Sequence, residues 1–188
     1  LRLGLFGGAF DPIHAAHLTL ARAAAAFCSL DRVLLIPAAH PPHKRLHADY
    51  EHRYRMVELA AAGDPLLEPS RLEAGTACSY SIDTIERVRR ERGGQDLLFF
   101  LIGADAFAEI RTWVRWQDVI RLVEFIVVHR PGFSYDPPPG ARVHRLDSVE
   151  LRISSTELRR RLAAGEAPEA IPPPVLAYIR EHGLYAAH

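Results

Sequence analysis

Hydrophobic positions along this chain fall in short continuous runs that alternate with stretches of helical spacing. Residues 3–6 (Leu-Gly-Leu-Phe), 32–36 (Arg-Val-Leu-Leu-Ile), 97–102 (Leu-Leu-Phe-Phe-Leu-Ile) and 125–129 (Phe-Ile-Val-Val-His) are largely apolar and do not alternate with polar residues. Such runs read as strands buried on both faces. A weaker strand is predicted over 142–146 and a short one over 70–74. Helices are predicted over 14–28, 50–62, 81–91, 155–164 and 174–182. Gly63-Asp64-Pro65 and Gly93-Gly94 end the second and third of them.

This order implies an α/β fold: a Rossmann-like, doubly wound parallel sheet with helices on both faces. No internal repeat is visible, and one domain is expected over 1–188, with a C-terminal helical part from about 154. Ligands in such folds bind beyond the carboxyl ends of the strands. Attention therefore goes to residues 7–17, 37–45, 103–116 and 130–132.

Composition narrows the function class. The chain of 188 residues is 48% hydrophobic and 24% charged with zero net charge, so no global basic field gathers nucleic acid. The apolar stretch 18–30 is interrupted by Arg22, which argues against a signal peptide or a membrane span. Cys28 and Cys78 lie far apart with no CxxC, as expected for free thiols in a reducing compartment, and a cytoplasmic location is expected. The numbering starts at Leu1, so a start methionine is expected upstream. Lys44 is the only lysine in an arginine-rich chain.

Two segments carry chemistry. In the first, Gly7-Gly8-Ala9-Phe10-Asp11-Pro12-Ile13-His14-Ala15-Ala16-His17, a strand runs through a glycine pair into a helix. Asp11-Pro12 has the form of an N-cap followed by proline at the first helical position. His14 and His17 then share one helix face. Free N–H groups at such a turn, with the positive end of the helix, favour a phosphate, and imidazoles there can donate to phosphoryl oxygens. In the second, Ile153-Ser154-Ser155-Thr156-Glu157-Leu158-Arg159, Ser154 and Glu157 are spaced as a capping box and Arg159 lies one turn in. Neither a Walker A loop nor a GxGxxG fingerprint is present. His40, His43, His47 and His52 invite a metal-dependent hydrolase reading, but they occupy a proline-rich loop and a helix start with no HExxH frame. A nucleotide-binding module without catalysis would keep the turn but has no need of both histidines and the distant serines.

Together the two segments resemble the nucleotidylyltransferase superfamily. Pro41-Pro42-His43-Lys44, Ser79-Tyr80-Ser81-Ile82-Asp83-Thr84, Ile102-Gly103-Ala104-Asp105, Trp113 with Trp116, and the tail from Pro172 to Tyr185 look like the bacterial nicotinate-nucleotide adenylyltransferase family. The resemblance runs from residue 3 to about 185. It implies transfer of AMP from ATP to nicotinate mononucleotide, with Mg²⁺ accompanying ATP. No protein metal ligand, nucleic-acid partner or membrane partner is implied, and homo-oligomerisation is compatible with it.

The resemblance also assigns residues. His14, His17 and Arg159 would be catalytic. Gly7, Gly8, Phe10, Gly103, Asp105, Ser154 and Ser155 would join them in holding ATP. His43, Lys44, Tyr80, Ser81, Thr84, Asp105 and Trp113 would meet the pyridine nucleotide, Trp113 by stacking and the Tyr80 loop through backbone N–H groups to the carboxylate. Ser81 stands where threonine is common in the family. Ala16 stands where glycine is usual, and a small change in adenine fit is expected from its methyl. Preference for nicotinamide mononucleotide or phosphopantetheine, and cytidylyl transfer, are the neighbouring alternatives.

Overall fold

The computed structural model describes residues 1–147 and 152–187. Its centre is one six-stranded, all-parallel sheet in the order β3-β2-β1-β4-β5-β6. The strands are β1 (Arg2–Gly8), β2 (Arg32–Pro37), β3 (Leu67–Pro69), β4 (Leu97–Gly103), β5 (Glu124–Val128) and β6 (Val143–Leu146). The order reverses beside β1, so the switch point lies between β1 and β4, where doubly wound folds open a crevice for ligands.

The unbroken apolar runs are explained by cover on both faces. Phe6, Val33, Leu35, Phe99, Leu101, Ile126 and Val128 point into one core. That core is closed by α1 (Ala15–Cys28), α2 (Tyr50–Ala61), α6 (Ser155–Ala163) and α7 (Pro173–Glu181). Their strand neighbours Leu3, Leu5, Leu34, Ile36, Leu98, Ile102, Phe125 and Val127 point into the other. It is covered by α3 (Ser81–Glu91), α4 (Ala104–Ala108), a 3₁₀ turn (Ile110–Thr112) and α5 (Trp116–Leu122). Gly4 packs closely where the chain returns from α1 to the sheet: a Cβ there would lie 2.9 Å from the Leu30 Cδ1 methyl, which would have to shift.

Three expectations need correction. The strand expected over 70–74 lies earlier, at Leu67–Pro69, where Leu67 is buried and Ser70 N–H still donates to Leu35 O. The segment 104–122, given no helices from sequence, folds as three short helical pieces whose Phe107, Ile110 and Val119 fill the core. Helix α1 is not capped by Asp11: it begins at Ala15 with His14 as its N-cap residue, and Pro12 lies outside it behind a cis peptide bond. Asp11 is instead a buried hub, 2% exposed, whose carboxylate is engaged elsewhere.

Candidate active site

At the carboxyl end of β1 the chain makes a tight turn through Phe10, whose φ of 47° is left-handed. The Phe10 ring is 1% exposed and meets Phe6 at 5.5 Å and His17 at 5.1 Å, both edge-on. The Phe10 side chain is an apolar wedge beneath His17, which leaves its backbone as the part that faces the turn. His14 stacks on His17 with ring centroids 3.8 Å apart. The His14 backbone N–H donates to His17 Nδ1 at 3.2 Å.

That bond fixes the tautomer. Burial, and then the neighbouring His14 and Lys44, hold the His17 imidazole well below its ordinary pKa, so it is neutral at neutral pH. With Nδ1 accepting, the single ring proton sits on Nε2, which is left as a donor. His14 is lowered from 6.5 to about 4 by burial, and its Nδ1 is buried with no partner in the protein. The turn therefore presents two uncharged imidazoles.

Stability follows pH through His14. The unfolded imidazole protonates near 6.5 and the folded one near 4, so between these values the folded chain binds fewer protons. Stability is lost as pH falls from 6.5 toward 4, while above 6.5 both states are neutral and the group adds no slope. Urea unfolding across this window is expected to show a shallower loss for His14→Asn than for the parent chain. Equal slopes would contradict the burial of a neutral imidazole.

The late segment docks directly on the turn. Ser155 Oγ donates to Pro12 O at 3.1 Å, and Arg159 Nη1 donates to Asp11 O at 2.8 Å while Nη2 reaches Thr156 Oγ1 at 3.2 Å. Ser154 caps α6 by accepting Glu157 N–H at 3.2 Å. The reciprocal half of the expected capping box is absent, because the Glu157 carboxylate pairs with Arg160. Segments nearly 150 residues apart in sequence thus meet at the turn, and Arg159 is the cation they bring to it.

The remaining expected residues distribute as follows. Gly7 is exposed, whereas a Cβ on Gly8 would press on the Phe10 ring at 3.2 Å. A Cβ on Gly103 would lie 2.6 Å from Asp105 Oδ1, so that carboxylate would have to move; Asp105 pairs with Arg130 at 3.5 Å. His43 and Lys44 are exposed on the loop after β2, and Lys44 is near enough to act electrostatically on His17. Tyr80 is exposed and Ser81 half-buried at the start of α3. Thr84 is turned inward: its hydroxyl donates to Glu73 Oε1 at 3.0 Å, so that group is engaged within the protein. Trp113 is half-buried, edge-on to Phe100 at 5.8 Å, and Trp116 is half-buried against the same core. Ala16 is buried, so its methyl packs inside the protein.

Two buried charges escaped the sequence reading. Arg53, 1% exposed, donates through Nε to Ala48 O (3.0 Å) and through Nη1 to Ala9 O and Ala38 O (both 2.8 Å). It thereby ties the turn after β1, the end of β2 and the start of α2. Burial lowers its pKa, and Asp11 is the first of the groups that oppose that shift. Its signal was its position: with Tyr50, Tyr54, Val57 and Ala61 it falls on the inward stripe of α2. Glu73, 8% exposed, accepts Ala39 N–H at 3.2 Å and the Thr84 hydroxyl, but nothing in its local sequence marks it. Of the four clustered histidines, His52 on α2 bonds the Tyr178 hydroxyl at 2.8 Å and His47 on the loop meets Asp11 through its backbone N–H at 2.6 Å. Among the described residues no three His, Cys, Asp or Glu side chains gather to hold a metal ion.

Comparison with known proteins fits this geometry. Residues 5–161 match the family described as cytidylyltransferase-like. A protein of Solibacter usitatus is 61% identical over 98% of this chain and 100% of its own length, and is named "probable nicotinate-nucleotide adenylyltransferase". This chain belongs to the nicotinate-nucleotide adenylyltransferase family. Relatives of the same name from Thermus thermophilus and Bordetella pertussis are 44% and 42% identical, each over 98% of this chain and over 100% and 98% of their own lengths. The fold is shared with the Plasmodium falciparum nicotinic acid mononucleotide adenylyltransferase complexed with NaAD, at a TM-score of 0.79 and 20% identity over 98% of this chain and 97% of that one. As a member of this family the chain carries a nucleotidyltransferase fold, and no helix among its described residues is long and apolar enough to cross a membrane.

Proposed function

We propose that the chain transfers AMP from ATP to nicotinate mononucleotide, giving deamido-NAD and pyrophosphate. The observation that carries this reading is the junction of the histidine turn with α6 through Ser155 and Arg159, at the switch point of the sheet, in a chain whose close relatives share that activity in their name. The 5′-phosphate of the mononucleotide attacks the α-phosphorus; a new P–O bond forms as the α–β bridge breaks and pyrophosphate departs. Such a transfer needs alignment and charge stabilisation rather than a protein nucleophile.

His17 donates from Nε2 to an α-phosphate oxygen as charge builds there, and His14 supplies the adjacent imidazole. Both rings are neutral before ATP arrives, and the His14 backbone N–H donating to Nδ1 sets Nε2 of His17 as the donor. The backbone at Gly7 and Gly8 lies under the phosphates. Arg159, with Ser154 and Ser155 at the start of α6, holds the triphosphate tail, and His43 and Lys44 approach from the loop after β2. Gly103 and Asp105 meet the nucleotide riboses. Trp113 offers a ring face to the pyridine, and backbone N–H groups at Tyr80 and Ser81 read its carboxylate. Thr84 contributes by holding that loop to Glu73. Mg²⁺ would enter with ATP as part of the substrate and offset the negative charge of its phosphates.

Acid preference is tested by pyrophosphate release with ATP and Mg²⁺. We expect kcat/KM for nicotinate mononucleotide to exceed that for nicotinamide mononucleotide by about 10-fold or more, since a donor set built for a carboxylate is poorly matched by an amide. Equal values would refute acid preference while retaining the reaction. Faster turnover with phosphopantetheine would overturn the substrate.

A further inference from the structure

Near the end of the chain the Tyr185 hydroxyl donates to Asp11 Oδ1 at 2.5 Å, across 174 positions of sequence. Asp11 is 2% exposed, and its carboxylate also accepts the backbone N–H groups of His47 (Oδ2, 2.6 Å) and Ala48 (Oδ1, 3.1 Å). These two residues close the loop that bears His43 and Lys44. The carbonyl of Asp11 accepts from Arg159. One residue of the histidine turn therefore gathers the loop after β2, the start of α6 and the C-terminal tail.

The tail is shaped to deliver this hydroxyl. Beyond α7, Leu184 N–H returns to Ile179 O at 3.0 Å, and Tyr185 itself takes φ 59°. A bulky residue adopts that left-handed conformation only where its surroundings demand it. The ring packs beside the core formed by α1, α2 and α7, so phenylalanine would keep the apolar contact and lose only the donor. Burial and the adjacent Asp11 push the Tyr185 phenol above its ordinary range, which keeps it protonated.

We propose that Tyr185 is a positioning residue for adenylyl transfer: its hydroxyl fixes the Asp11 carboxylate, and through it the His43–Lys44 loop, against the phosphate turn. The proposal rests on the function given above, and its test separates the two. The variant is Tyr185→Phe in the full chain. Amide hydrogen exchange at His47 and Ala48 should quicken about 10-fold, the scale of a hydrogen bond to a charged group, with exchange in β1 unchanged. In steady-state assays kcat/KM for ATP should fall about 10-fold, with the melting temperature lowered by only a few degrees. Unchanged exchange at both amides overturns the proposal. So does faster exchange with parental kcat and KM, which is the mark of a tail that anchors without positioning. If the parent chain transfers no adenylyl group, the function fails, and exchange at His47 and Ala48 still decides whether Tyr185 holds the loop.

Discussion

Replacing His17 by alanine lowers kcat for adenylyl transfer by about 10²–10³, with little change in KM for ATP. The reason lies in how the ring is held. Phe6 and Phe10 fix its edges, His14 stacks on its face, and the His14 N–H takes up Nδ1, leaving Nε2–H as a directed donor. A donor preorganised in this way gains most when charge accumulates on the α-phosphate, which is a transition-state effect. Initial rates at varied ATP, with the second nucleotide saturating, separate the two parameters. A defect confined to KM would mean that His17 only binds ATP. Alanine also leaves a void beside the aromatic pair, so a modest fall in melting temperature should accompany the loss.

Replacing Arg53 by methionine destabilises the fold by about 3–5 kcal/mol. The apolar stem is largely retained, but the carbonyls of Ala9, Ala38 and Ala48 lose their common donor, and Asp11 loses a buried positive neighbour. Unsatisfied buried acceptors cost about 1–3 kcal/mol each, and relaxation of the loops recovers part of that. For a chain of this length the melting temperature should drop by roughly 10 °C. Arg53→Lys should restore only part of it, since an ammonium cannot reproduce the planar fork. Thermal unfolding checks both variants; a shift of under about 2 °C for Arg53→Met would show that the three carbonyls find other donors.

Arg53 also shows where sequence reading stops. Continuous apolar runs at β1, β2, β4 and β5 announced a two-faced parallel sheet, because only strands covered on both sides can afford them. The two histidines and the Ser-Ser-Thr-x-x-Arg segment were legible as phosphate chemistry from residue type and spacing. Their meeting is implied by the family resemblance, which assigns both to ATP, but residue type and spacing alone do not show it, since it depends on Ser155 and Arg159 reaching the carbonyls of Pro12 and Asp11. Local rules failed at Asp11 for a related reason: an Asp-Pro pair favours a helix start, but three long-range donors claim this carboxylate. Segment 104–122 was opaque because pieces of five, three and seven residues are too short to show a period. Thr84 and Glu73 became partners only through the packing of α3 against the loop after β3.

The most direct measurement is the identity of the products. The chain is incubated with ATP, Mg²⁺ and nicotinate mononucleotide, and the nucleotides are separated and weighed by mass spectrometry. Deamido-NAD and pyrophosphate in equal amounts, dependent on both substrates, is the predicted result. ADP with phosphate, or AMP with pyrophosphate and no dinucleotide, would mean that the histidine turn and α6 bind ATP without delivering its adenylyl group, and would contradict the account.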